Sequence, residues 1–406
     1  MTENPKLREI EVRPIQHQGQ EMLLLRDPLQ LSDGQIAVPR PLGLLLALMD
    51  GTRNGDELEA ALRVRIGVRL AEGLLAQIIK DMDAALLLDN ERFRQARAAT
   101  LRSYREAPYR PLLLDGGQLP PTPARAQAEL QGYVNALPPV DWAGALPPVR
   151  GLISPHIDYQ RGGMVYAEVW RAGAEAARQA ELVIMIGTDH QGSAGTLTLT
   201  QQSYATAWGV LPTDRAVVDE LAGALGEEAS FAEELHHRGE HSIELAAGWL
   251  HFIREGAPVP MVPILCGHFG AFVEGRADPA DYEPFAAAVR VLRQVMRAQK
   301  TLVVAAADLA HVGPAFGDSY GLDFIGKAQM RNADERLLET VYAGDAEAFF
   351  GELQAEGDRR HVCGLPPIYV TLRLLGKTRG EPAGYAICPA DMHGTSIVTI
   401  AGVTLH

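Results

Sequence analysis

ELVIMIGTDHQG, residues 181–192, sets five consecutive apolar side chains, Leu182 to Ile186, ahead of Gly187, Thr188, Asp189 and His190. A short apolar run closed by a turn signal suits a strand buried on both faces. In an open α/β sheet, ligands gather beyond the carboxyl ends of such strands. His190 would stand there.

Two other stretches repeat the arrangement. Val149–Pro155 runs into His156 in GLISPHIDY, and Thr301–Ala307 runs into Asp308 and His311 in LVVAAADLAHVG. A single histidine after a strand is most often an ordinary hydrogen-bonded residue. Three strand ends offering His, His and an Asp/His pair point to a common site.

Composition bounds the reading. The 406 residues allow two domains, one of them large. A net charge of −14 argues against a general nucleic-acid or anionic-membrane binder, while leaving room for a local basic patch. The cysteines Cys266, Cys363 and Cys388 form no CxxC and fit a reduced compartment. MTENPKLREIEV lacks the apolar core of a secretory signal, and the longest apolar run, Leu42–Met49, is too short to span a bilayer. A cytoplasmic protein with neither nucleic acid nor membrane as partner is expected. Nothing in the sequence fixes the oligomeric state.

Residues 1–98 read as self-contained. Glu21–Arg26 and Gln35–Val38 are strand candidates, with Asp27-Pro28 and Asp33-Gly34 as turn signals between them. Leu42–Met49 reads as a buried helix. Asn54 or Asp56 would cap a second helix carrying Leu58, Leu62 and Ile66, and Leu70–Ala84 gives a third. Leu86–Leu88 fits a closing strand. Strands, three helices and a terminal hairpin make a small winged-helix-like α+β domain. ALMDGTRNGDELEAAL followed by ALLLDNERF resembles the PqqD-like peptide-binding winged helices, which serve peptide-modifying enzymes. The plainer reading is a small accessory domain. DNA binding is disfavoured, because AEGLLAQIIKDMDAA carries one lysine against Glu72, Asp81 and Asp83.

Residues 99–148 are proline-rich and read as linker and lead-in, with one helix at Ala124–Leu137. From 149 to 406, strand and helix patterns alternate. The fold expected there is α/β, a mixed β-sheet flanked by helices.

Neutral imidazole is the commonest metal ligand and the usual acid/base near neutrality. His156 and His190, each just after a strand, can meet at one rim. Cys363, in HVCGLPPI, could add a thiolate, although a lone cysteine is more commonly a small buried hydrophobe. Asp308 and His311 are three apart. If DLAH is helical, both lie on one side, with Asp308 orienting a neighbour and His311 acting as acid/base or ligand. His241 and Glu244 in GEHSIEL are also three apart, a spacing that suits metal ligation, an ordered pair or an ordinary helix surface. No HExxH, Walker A, GxSxG or GxGxxG occurs, so serine-triad and P-loop readings fall away.

The ordered set PHIDY, IGTDHQG, GEHSIEL, VPILCG, AADLAHVG, CGLPPI and AGVTLH resembles the Memo family, protein B of the AmmeMemoRadiSam system, over about residues 149–406. That family's fold is similar to the class III extradiol dioxygenases, which use non-haem Fe(II). The resemblance implies His156, His190 and Cys363 as metal ligands. His311 would be the catalytic base with Asp308 beside it, and His241 would line the site. It also implies radical SAM and AMMECR-type proteins as partners. A thiolate where the ring-cleaving relatives carry a carboxylate puts catechol cleavage in doubt. The chain departs from the family pattern at Ile157-Asp158, at Thr188-Asp189 and in the lead-in LLLDGGQLPPTP. Asp158 and Asp189 could strengthen cation binding, fix histidine tautomers or cap turns.

Three functions compete. The first is a redox enzyme using Fe(II) or copper on a peptide or protein substrate. The second is a non-catalytic metal- or peptide-binding scaffold. The third is a zinc-type hydrolase using the same ligands.

Overall fold

The computed structural model describes residues 4–32, 34–113, 122–139 and 147–406. The Asp33-Gly34 turn and most of LLLDGGQLPPTP lie outside the described residues. The chain divides into two units, Met1–Glu106 and Ala107–His406. Among the described residues no helix is long and apolar enough to cross a membrane.

In the first unit β1 (Glu11–His17), β2 (Gln20–Arg26) and β3 (Ile36–Pro39) form an antiparallel sheet in that order. Gln18 and Gly19 join β1 to β2, both at positive φ (51° and 77°), the backbone that a two-residue hairpin requires. Helices Gly43–Leu48, Gly55–Ile66 and Leu74–Ala84 follow. Asn54 is the cap of the second: its side chain accepts from Glu57 N–H at 3.0 Å, and Asn54 N–H donates to the Glu57 carboxylate at 2.9 Å. Leu25, Leu45, Leu58, Leu62 and Met82 close a separate small core. The unit is a small α+β domain whose strands precede its helices. Leu86–Leu88 does not form the expected hairpin. Leu86 adopts φ +57°, and only Leu88 bridges, to Leu7. Helix Glu91–Glu106 then runs through position 98, so the division falls after 106. ERFRQARAATLRSYRE hides this helix from periodicity, since only Tyr104 on it is buried.

The second unit contains β4 (Gly151–Ser154), β5 (Leu182–Thr188), β6 (Leu197–Leu199), β7 (Tyr204–Thr206), β8 (Gly209–Leu211), β9 (Met261–Cys266), β10 (Thr301–Ala306), β11 (His311–Val312), β12 (Gly380–Pro389) and β13 (Ile397–Leu405). Eight strands form one sheet in the order β11-β13-β4-β10-β5-β9-β6, with β12 also on β13. The central strands β4, β10, β5 and β9 run parallel, while β13 and β6 flank them antiparallel. The sheet is therefore mixed. β7 and β8 form a two-stranded sheet of their own, bridged to Arg110 at Tyr204, so Ala205–Val210 makes a separate hairpin.

The apolar run of β5 has a plain cause. Ile184 and Ile186 enter one core with Val303, Ala305 and Ile368, whereas Val183 and Met185 enter the other with Val304, Trp170 and Trp249. Successive strand residues face opposite sides, and helices cover both. Tyr159–Ala172 and Ser242–Ile253 build one face. Arg215–Leu225, Glu283–Ala298 and Leu365–Leu375 build the other. With no side of β5 left to water, the first polar groups occur where the strand ends.

Candidate metal centre

Three neighbouring parallel strands end together, β4 into His156, β10 into Asp308 and β5 into His190. Each delivers its group within two residues of the last strand position. Cys363 arrives from the opposite direction, at the start of helix Leu365–Leu375. Its carbonyl accepts from the Thr188 hydroxyl at 3.0 Å, and Gly364 N–H donates to the Asp308 carbonyl at 3.0 Å. The end of β5 and the turn after β10 thus fix the thiol.

The donor atoms of His156, His190 and Cys363 lie within 4.8 Å of one another, a set that could hold a metal ion. His156 is buried, and its Nδ1–H faces the Ala306 carbonyl at 3.0 Å. Nε2 is then left toward the Cys363 sulfur at 3.2 Å. His190 Nδ1 meets the Glu240 carboxylate at 2.8 Å, which likewise leaves Nε2 forward. Such an outer hydrogen bond fixes a ligand's tautomer and ring plane. The His190 side chain keeps 36% exposure. His241 stacks on it at 5.2 Å between ring centroids and lies edge-on to His156 at 5.5 Å.

Electrostatics follow from this crowding. Burial alone would push the Cys363 thiol up, but His156, His311 and His190 bring it down to about 5. Burial disfavours charge on His156, yet Asp308 and Cys363 raise it to about 9. His190 is raised in the same way by Glu240 and Cys363 against burial. Burial, with His190 and His156 close by, lowers His241 to about 4 despite Glu240. Glu240 is held well below the carboxylate range by His190 and His241, which outweigh its burial. The charged forms are thus favoured at Cys363, His156 and His190 and disfavoured at His241. A cation held there would take the place of the histidine protons.

The other expected residues are distributed as follows. Asp308 accepts from the backbone N–H of His156 at 2.8 Å and of Ile157 at 3.3 Å, so it braces the first histidine's turn. DLAH is not helical: Leu309 N–H donates to Thr399, Thr399 N–H donates to Ala310, and His311 begins β11. His311 nevertheless lines the same cavity of about 560 Å³ as His156, His190, His241 and Cys363. Its Nδ1 lies 3.1 Å from the Leu309 carbonyl, and its ring packs edge-on to Phe316. His241 is the residue before helix Ser242–Ile253 and faces the site. Glu244, one turn on, is buried and ion-paired with Arg110 instead. Asp158 caps helix Tyr159–Ala172 and pairs with Arg161 at 2.6 Å. Asp189 accepts from Gln191 N–H and faces His236 Nδ1 at 2.8 Å, away from the donor set.

Sequence reasoning passed over Glu240. Its two oxygens meet His190 and accept from the N–H groups of His241 and Ser242, at 2.8 and 2.9 Å. The available signal was its place directly before His241 in GEHSIEL. His361 and Phe316, also on the cavity wall, carried no sequence signal.

A family model described as Memo-like protein matches residues 116–388, about two-thirds of the chain. A MEMO1 family protein of Aquifex aeolicus is 25% identical over 408 residues, covering 99% of this chain and 100% of the relative. One from Thermus thermophilus is 26% identical over 359 residues, covering 88% of this chain and 99% of the relative. One from Methanopyrus kandleri is 27% identical over 242 residues, covering 58% and 75%.

Proposed function

The chain belongs to the Memo-like family, and we propose that it is a metal-dependent redox enzyme whose metal is held by His156, His190 and Cys363. What carries the reading is the convergence of two histidines, each engaged at Nδ1, with a thiol lowered to about 5, at the wall of one cavity. Two imidazoles and one thiolate suit iron, copper or zinc. A bound iron or copper ion would supply redox chemistry at the positions these three ligands leave open.

The remaining roles fall to side chains of this chain. His311, with Nδ1 turned to Leu309, would present Nε2 to substrate and move a proton there. His241, neutral through the physiological range, would accept a hydrogen bond from substrate without adding charge beside His190. Asp308 would hold the His156 turn in place. Phe316 and Val398 would keep water from one side of the cavity. The substrate is proposed to be a peptide or protein side chain, with the N-terminal unit gripping the peptide and radical SAM and AMMECR-type proteins as partners. A second reading has one specific support: His₂Cys is a donor set that zinc also takes in catalytic sites, which would make the protein a hydrolase.

The test is metal content after anaerobic purification, followed by oxygen consumption on adding peptides. Iron- or copper-dependent oxygen uptake supports the redox reading. Zinc retention with amide hydrolysis supports the hydrolase. A metal-loaded protein that turns over no substrate would leave a binding scaffold.

A further inference from the structure

The opposite rim of the sheet carries a second concave site of different chemistry. Arg150, Glu181 and Lys300 each directly precede a central parallel strand, β4, β5 and β10 respectively. They line a cavity of about 810 Å³ with Arg293, Arg297 and Lys377. Five cations and one carboxylate therefore surround one hollow, in a chain whose net charge is −14.

Two of these cations have a structural task. Arg150 donates to the carbonyls of Lys377 and Leu375, at 3.2 and 3.0 Å. Arg293 donates to the carbonyls of Leu374 and Arg373, at 3.0 and 2.6 Å. Both thereby satisfy the end of helix Leu365–Leu375. Gly376 permits this approach, since a Cβ there would meet Arg293 Nη2 at 2.8 Å. Each guanidinium uses two of its five donors in this way.

Arg297, Lys300 and Lys377 have no such task. Among the described residues none of the five cations is ion-paired to a carboxylate. The arginines nearby that do find one, Arg290 with Glu283, Arg373 with Glu347 and Arg379 with Glu381, lie outside the set. The Glu181 carboxylate accepts from Lys300 backbone N–H at 3.0 Å. Two helices, Glu283–Ala298 and Leu365–Leu375, end at this hollow, and their C-termini supply about one further negative charge together. Against five cations, a surplus of about three positive charges is left around the cavity.

We propose that this cavity binds a small molecule bearing a diphosphate group. Fixed guanidinium forks match phosphate oxygens, and the mobile lysines add charge. Met296 and Leu375 supply an apolar wall that would receive an organic part such as a nucleoside. The volume is in the range of small-ligand pockets. The site lies at the amino ends of the strands, remote in topology from the histidine rim.

Calorimetric titration of the full-length protein at low ionic strength with ADP, pyrophosphate, inorganic phosphate and citrate tests the proposal. ADP and pyrophosphate should each bind about tenfold more tightly than phosphate or citrate, and both should weaken as salt is added. ADP binding above pyrophosphate assigns a nucleoside; equal binding assigns the bare diphosphate. Arg297→Ala with Lys300→Ala should weaken binding by about tenfold, with melting temperature and metal content unchanged. Lys377→Ala, a single exposed change, should weaken it in the same direction. Diphosphates that bind no better than citrate, or variants that bind like wild type, would overturn the proposal.

Discussion

At the scale of single residues, the site is a problem in proton placement. The neighbouring histidines draw the Cys363 thiol down to about 5, whereas Asp308 and Cys363 raise His156 to about 9 and Glu240 and Cys363 raise His190 in the same direction. Metal binding must therefore expel the imidazolium protons. Apparent affinity should rise with pH from about 5 to 9, and fall more steeply below about 5, where the thiol also holds a proton. Calorimetry in buffers of differing ionisation enthalpy should register about two protons released per metal at pH 7, and none would contradict the assignment. Glu240 acts through His190. Glu240→Gln keeps the shape but replaces an acceptor-only group, and should weaken metal binding by about 10- to 100-fold in a competition assay with a chelator. An unchanged affinity would show that His190 needs no such brace. Neither effect was legible in the sequence. GEHSIEL offers Glu240 and Glu244 as equivalent carboxylates, and only the fold turns one to His190 and the other to Arg110.

At the scale of elements, legibility tracked how completely a strand is buried. LVIMI betrays β5 because both faces meet apolar cores, and the same holds for LVVAA in β10. β12, GEPAGYAICP, is half-buried and interrupted by glycine and proline, so no period marks it. DLAH is ambiguous in sequence for a related reason. Its three-residue spacing suits a helix, but Thr399, some ninety positions on, claims its backbone through β13. The turn that carries Cys363 depends on a glycine. A Cβ on Gly364 would stand 2.3 Å from the Asp308 carbonyl and 2.9 Å from Ala307 Cβ. Gly364→Ala should drive the helix start away from β10, costing about 1–3 kcal/mol of stability and lowering metal occupancy. Chemical denaturation together with metal analysis checks this. A variant with wild-type stability and full occupancy would mean that Cys363 is not positioned by this packing.

At the scale of the whole molecule, the candidate centre belongs to one of the two units. Every residue of the candidate centre lies between His156 and Cys363, inside the second unit. A chain of residues 107–406, which is one compact unit with the whole donor set, should fold and bind metal with the stoichiometry of the full protein, while losing affinity for peptide substrates. Metal analysis and peptide binding on the two lengths check this. Loss of metal from the shorter chain would tie the centre to the N-terminal unit. The family and the mixed sheet are legible in the sequence, because motif order and buried strands are written locally. The boundary at 106 is not, because the helix that crosses position 98 buries only Tyr104 and so presents no apolar face to read.

The central claim is that His156, His190 and Cys363 share one metal ion, and X-ray absorption at the edge of the bound metal tests it most directly. The account predicts one sulfur neighbour at about 2.3 Å with two imidazoles in the wild-type protein. The sulfur should vanish in Cys363→Ser, while His393→Ala, at an exposed position, should leave the spectrum as it was. A wild-type shell containing only nitrogen and oxygen, or one unchanged by Cys363→Ser, would contradict it.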